Sequence, residues 1–527
     1  MLGNATGVLK VNADQSILAK DVTGAAAFSG VVHRPKSVAE VQALVLEARR
    51  RKIALHPTST GLNWGYGHMP QAGSDIELMD LSGLDRILNA DQISVSNPVA
   101  VIEPGVTQGQ LSDFLLRHHP GLFFNVTGSA RNSSIVGNAL DRGVGYLGPR
   151  RDDLFGMELV TGAGTVLSTG FRRLGDASPL AHCHPFGLGP MLDGLFFQGN
   201  FGVVTSACFK LLPRPAKQVA VSLALLNERD LPRFIDLLAG LKREKVMGSV
   251  THIGNRARTR SSLMYGIVQY LETQGGLSGG ELTREADRVL ALVAPDQWTS
   301  LGGIAGTAKQ VKAAMDEVRS RMGEVARVMF IDDFKLDLGY AVLNRFRFIP
   351  WAKANAAAIS AIRPLHGLAA GIPTDAAIDN LLWRFGRSDL PAERLAESNC
   401  GMLFISPALP MDGAFAARLV ARMTEIAAGF AHDLYVTVNI ETDNSMVAVT
   451  NLLFDRADPA AVERAHRCAG ALHAEVKAQG LEVYRARVDM MPEVVSADSD
   501  YWKVIRQLKA VFDPDNIISP GRYNFQN

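Results

Sequence analysis

PTSTGLNWGYG, residues 57–67, is the stretch from which the fold is read. Pro57, Thr58, Ser59, Thr60, Gly61, Leu62, Asn63 and Gly65 make a run with few bulky side chains. Upstream, Ser37 precedes VAEVQALVLEARR, in which Val38, Val41, Leu44, Val45 and Ala48 recur at helical spacing. Ile53 to Leu55 then has strand character, so the order is helix, strand, small-residue loop. A second such loop, NVTGSARNSSIVGNALDRG (125–143), runs into a helix. It carries Gly128, Ser129, Ser133, Ser134, Gly137 and Asn138. Successive backbone N–H groups in turns of this kind can converge on an anion, and a helix N-terminus favours phosphate. On spacing alone, two surface turns account for both segments as simply.

Working outward, DIELMDL (75–81), ISVS (93–96) and VAVIEPGV (99–106) read as short strands, and TQGQLSDFLLRHH (107–119) as a helix. MELVTGAGTVLSTG (157–170) reads as two strands around a Gly-Ala-Gly turn. A Pro-rich break near Pro215 suggests a first domain over 1–215. From 216 to 475, helical segments (231–244, 308–322, 415–430) alternate with strands (402–409, 434–440), the texture of an α+β domain. Residues 476–527 form a last segment with one helix and a Pro/Gly-rich tail.

Composition narrows the function classes. The 527 residues carry 54 Lys+Arg against 53 Asp+Glu, so no basic field for nucleic acid is expected. Four cysteines, none in a CxxC pair, do not make a disulfide framework. No signal peptide and no long apolar run are visible, which predicts a cytoplasmic protein without a membrane span. GxGxxG at a strand–helix junction, GxxxxGK[ST], HExxH and an EF-hand loop are all absent. His182-Cys183-His184 has no partner pair at ligand spacing, so no metal is expected.

Six segments in order, PTSTGLNWGYG (57–67), VIEPGVTQGQL (101–111), GNALDRGVGY (137–146), GMELVTGAGTVLSTG (156–170), PFGLGPMLDGLFFQGNFGVVT (185–205) and DPDNIISPGR (513–522), resemble the vanillyl-alcohol oxidase / p-cresol methylhydroxylase flavoproteins. The resemblance implies an α+β fold: a two-part FAD-binding domain of the PCMH type, completed by the C-terminal segment, with an α+β cap over the flavin. The two glycine loops would cradle the FAD pyrophosphate, with Gly202, Val203, Val204 and Arg522 contributing to the cofactor site. It further implies hydride transfer from the benzylic carbon of a para-substituted phenol to flavin, through a quinone methide. A small phenolic substrate and oxygen or another electron acceptor would be the partners, and dimers are common in the family. The family's phenolate-holding Tyr, Tyr, Arg set falls on Tyr66, Tyr484 and Arg485. Two phenol O–H donors and a guanidinium stabilise an anionic oxygen. On the residues alone, Tyr66 reads as a packed loop side chain and Arg485 as a salt-bridge partner.

The chain departs from the family pattern in three places. Ser129 stands where the oxidase branch has an acid/base Asp, with Gly128 before it; the cresol-hydroxylase branch tolerates a serine there. Met402 stands where the oxidase branch has its flavin-bonding histidine, so the FAD is expected to be noncovalent. His56 and His68 flank the first loop, with neither favoured for a covalent bond. In VTVNIETDNSMV (436–447), Glu441 and Asp443 share a face if the strand continues, and either is a candidate base. The alternative is an FAD-dependent dehydrogenase of another alcohol or a 2-hydroxy acid; the absence of His from that strand counts against it.

Overall fold

In the computed structural model the described residues are 8–10, 20–25, 27–70, 76–294 and 298–526. Of the first sixteen residues only 8–10 are among them, so the expectation of no signal peptide falls largely outside the described residues, as does Asp75 at the head of the expected 75–81 strand. The helix Val38–Arg51 forms as its periodicity predicts. Ser37 caps it by accepting from the Glu40 N–H, while Val41, Leu44, Val45 and Ala48 are buried. It packs on the strands Ala54–Thr58 and Leu154–Thr161.

Ala54–Thr58 runs parallel to Ile76–Asp80, which is itself parallel to Val31–His33; Val8–Lys10 closes this four-stranded sheet antiparallel. A second sheet, wholly antiparallel, has the order Val99–Ile102, Gly202–Lys210, Leu154–Thr161, Val166–Ser168. The C-terminal segment joins the two. The Leu55 N–H donates to Ile517 O at 2.7 Å and the Ser519 N–H to Leu55 O at 2.8 Å. Ile517 and Ile518 then share one core with Val41, Leu55, Val160 and Val203. Asp513, paired with Lys509 at 2.8 Å, accepts the Ile517 and Ile518 N–H groups and shapes this return.

The third sheet has eight strands, all paired antiparallel. Its order is Ala326–Ile331, Lys217–Leu225, Trp298–Gly306, Thr251–Asn255, Tyr435–Ile440, Met446–Asp455, Cys400–Leu409, Val483–Arg485. Side chains alternate across a strand, and the alternation separates structure from site. Val436, Val438, Ile440, Leu403 and Ile405 enter the core beneath helices Leu231–Arg243, Gly413–Gly429 and Pro459–Ala478. Tyr435, Thr437, Asn439, Met402 and Phe404 line a cavity on the other face.

Two local readings are corrected. ISVS (93–96) is a turn, not a strand: the Asn97 N–H donates to Ser94 Oγ at 3.1 Å, a local bond that competes with sheet pairing. The strand Tyr435–Ile440 ends before Glu441, so the argument that Glu441 and Asp443 share a strand face fails.

Candidate active site

The two small-residue loops meet the eight-stranded sheet around a cavity of about 590 Å3. Pro57, Thr58, Ser59, Thr60, Gly61, Leu62 and Asn63 line it from the first loop. Gly128, Ser129, Ser133, Ser134, Gly137 and Asn138 line it from the second. Gly202, Val203, Val204, Met402 and Arg522 also reach it. The loops are tied together: the Ser134 N–H donates to Thr60 Oγ1 at 3.1 Å, and a Cβ on Gly137 would stand 2.3 Å from Ser59 Oγ. Gly65 is not a lining residue. Its φ of +77° and the approach of Phe404, 2.4 Å from where a Cβ would sit, make it the point where the first loop docks on the sheet.

Tyr66 and the adjacent pair Tyr484 and Arg485 are brought together from two separate parts of the fold. Val483–Arg485 is the edge strand beside Ser406, which places Tyr484 over the loop that carries Tyr66. Tyr66 Oη lies 3.0 Å from Ser406 Oγ and 3.4 Å from Tyr484 Oη. Phe404 stacks on the Tyr66 ring at 4.7 Å and 9°, and the Arg485 guanidinium lies 4.1 Å from its centroid, so the two take opposite faces. Burial raises the pKa of both phenols, more than Arg485 lowers it, so both stay protonated hydrogen-bond donors at neutral pH.

Arg485 is anchored more firmly than its motif suggested. Its Nε donates to Asp141 Oδ2 at 2.7 Å and its Nη2 to Asn63 Oδ1. Burial works against its charge, but Asp141, Tyr66 and Tyr484 outweigh that and raise its pKa. Asp141 also accepts from Asn63 Nδ2 at 2.9 Å and lies 3.8 Å from Arg522. Asp141 and Ser406 were not singled out from the sequence. Asp141 sits inside the GNALDRG motif and could have been flagged there; nothing around Ser406 announced its partner.

The remaining candidates separate. Ser129 Oγ donates to Ser133 Oγ at 2.7 Å at the cavity wall. Glu441 is 7% exposed, with Oε1 lacking a partner among the described residues, and burial pushes its pKa up to about 7. It is not a lining residue, although its charge is felt by Tyr484. Asp443 is exposed and paired with Lys245, away from the cavity; its candidacy as a base is withdrawn. His56 lies 3.0 Å from His68 O through Nε2 and 3.0 Å from Ser519 Oγ through Nδ1. Burial lowers its pKa to about 3, so it is neutral, and both it and His68 line the cavity. The Cys400 thiol is buried, its pKa pushed up to about 12. Among the described residues no group of three His, Cys, Asp or Glu could hold a metal, and no helix is long and apolar enough to cross a membrane.

Two observations make the cavity suit a dinucleotide. The loops present backbone to it with few bulky side chains in the way. Asn138 Oδ1 and Arg522 Nη1 are also buried without a protein partner among the described residues, on two residues that line it.

Comparison with known proteins agrees with this geometry. Residues 29–170 match the FAD binding domain, and residues 306–523 match the C-terminal domain of FAD linked oxidases. The chain is 29% identical to 1'-carboxy-chondrochloren decarboxylase of Chondromyces crocatus, across 99% of this chain and 96% of that protein. It is 26% identical to the flavoprotein subunit of 4-cresol dehydrogenase (hydroxylating) of Pseudomonas putida, across 92% of this chain and 86% of that one. Two solved structures share the fold over 98% of this chain and 94% of theirs, each at 23% identity. They are p-cresol methylhydroxylase with substrate bound, at a TM-score of 0.81, and 4-ethylphenol oxidase from Gulosibacter chungangensis in an isoeugenol complex, at 0.80.

Proposed function

Because this chain belongs to the PCMH-type FAD-linked flavoproteins and FAD is its cofactor, we propose that it oxidises a para-substituted phenol at the benzylic carbon. FAD supplies the acceptor for a hydride. Pro57 to Asn63, Gly128 to Asn138 and Arg522 would hold it, noncovalently because Met402 offers a thioether where a histidyl link would form.

The observation that carries the reading is the convergence of Tyr66 Oη and Tyr484 Oη, 3.4 Å apart, beside a buried guanidinium. A phenol whose oxygen sits between these donors is held as phenolate. Each hydrogen bond to a charged oxygen is worth about 1.5–3 kcal/mol. Loss of the phenolic proton and a benzylic hydride leaves a neutral quinone methide, which adds water or loses a further proton. Arg485 keeps its charge throughout, and the Asp141–Asn63 clamp fixes it against the Tyr66 ring. Ser406 orients the Tyr66 hydroxyl, so that donor is in place before substrate arrives.

An anaerobic titration of the purified yellow protein with 4-alkylphenols tests the proposal. Stoichiometric bleaching is expected, and unchanged colour across the panel refutes it. Admitting air afterwards separates oxidase from dehydrogenase by the reoxidation rate. The match to the decarboxylase over nearly the whole chain marks a second reading, loss of a carboxylate from the substrate; CO2 release in a parallel anaerobic titration with 4-alkylphenols that bear a side-chain carboxylate distinguishes it.

A further inference from the structure

The cavity does not end at the tyrosines. It continues along the eight-stranded sheet to the start of helix Arg256–Thr273, where Arg258 lines it. Arg258 carries accessible surface, yet it lies deep enough that burial lowers its pKa. The surface it keeps is therefore cavity wall. Its neighbour Arg260 pairs with Asp287, but among the described residues no carboxylate pairs with Arg258. The groups that bear on its charge are the phenols Tyr146 and Tyr435. Tyr435 already accepts from Arg384. Tyr146 packs on the His252 ring at 4.5 Å.

His252 also lines this end. Its Nδ1 lies 2.8 Å from Asn439 Oδ1, while its buried Nε2 has no partner among the described residues. Because Nδ1 donates to that oxygen and burial lowers the ring's pKa to about 4, Nε2 is a bare acceptor that takes a donor, not a carboxylate oxygen. The cation of this end is Arg258, and since protein interiors pair their charges, its counter-ion must come with a ligand.

We propose that this end of the cavity receives a carboxylate carried by the substrate, with the Arg258 guanidinium as its counter-ion. Ser406 lies on Cys400–Leu409 and the Arg258 helix directly follows Thr251–Asn255, strands three steps apart. At about 4.8 Å per step this is roughly 14 Å. The substrate is then an elongated para-substituted phenol with an acid at the far end of its side chain. The position of the ring rests on the function proposed above; the acid site does not.

The test is calorimetric, on the FAD-loaded protein, with ω-phenylalkanoates of increasing length and their primary amides. These probes lack the phenolic hydroxyl. At the best length the wild type should bind the acid roughly 10- to 100-fold tighter than the amide. Arg258→Gln should collapse that ratio and Arg258→Lys should restore part of it. Equal affinity for acid and amide in the wild type, or a preference that survives Arg258→Gln, overturns the proposal. The wild-type ratio is read without any variant, so a variant that fails to fold does not remove the test. An acid preference with no bleaching by any 4-alkylphenol keeps this site and rejects the phenol reading; bleaching with no acid preference does the reverse.

Discussion

Tyr66→Phe removes one oxygen from the site and leaves the rest of the packing in place. The ring is held between Phe404 at 4.7 Å and the Arg485 guanidinium at 4.1 Å, and phenylalanine keeps both contacts. What disappears is the hydroxyl 3.0 Å from Ser406 Oγ and 3.4 Å from Tyr484 Oη. If that hydroxyl donates to a phenolate, the variant loses a charge-assisted hydrogen bond worth about 1.5–3 kcal/mol, or roughly 10- to 100-fold in kcat/KM. Ser406 is wholly buried and loses its neighbour, which should lower stability by about 1 kcal/mol. Anaerobic stopped-flow of flavin reduction by a 4-alkylphenol measures the first effect, and thermal unfolding the second. A variant that folds, carries FAD and reduces its flavin as fast as the wild type at subsaturating phenol would refute the donor role of Tyr66.

Other outcomes follow from neighbouring residues. Burial raises the Glu441 pKa from 4.5 to about 7, so the folded state binds the extra proton. The associated stability is complete below pH 4.5 and is lost as pH rises through about 7. The full effect is on the order of 3 kcal/mol. Melting curves across that window should show a slope in the wild type that Glu441→Gln lacks; parallel profiles would mean Glu441 titrates normally. Gly65→Ala places a Cβ 2.4 Å from Phe404 at a φ of +77°, so it should lower Tm and weaken phenol binding more than Gly429→Ala, where the added carbon meets nothing within 4 Å. Acid precipitation of the wild type should leave the yellow colour in the supernatant, because Met402 cannot form a histidyl link; a coloured pellet would contradict noncovalent FAD.

The parts legible in the sequence were those built from local chemistry. The Ser37 cap, the apolar stripe after it and the small-residue loops depend on residues within a few positions, and they stand where the sequence put them. Tyr66, Tyr484 and Arg485 were legible through motif resemblance, but the way they are held was not. Asp141 clamps Arg485 across 344 positions, and Ser406 meets Tyr66 across 340. The first contact exists because Val483–Arg485 adds to the edge of the eight-stranded sheet beside Ser406, and the second because the first loop docks on the strand that carries Ser406, placements set by topology. Asp443 misled for the converse reason. A two-residue spacing means a shared face only while the strand lasts, and this strand stops at Ile440. Arg258 escaped notice because one of three arginines in the RARTR start of a helix looks like an ordinary surface charge until the cavity beside it is seen.

The central claim is that the para oxygen must be held as an anion for the benzylic hydride to leave. A 4-alkylphenol and its O-methyl ether, each mixed anaerobically with the oxidised wild-type protein, test this most directly. The account predicts bleaching of the flavin by the phenol and none by the ether, which cannot form the phenolate that the Tyr66–Tyr484–Arg485 site holds. Bleaching by both at comparable rates would contradict it.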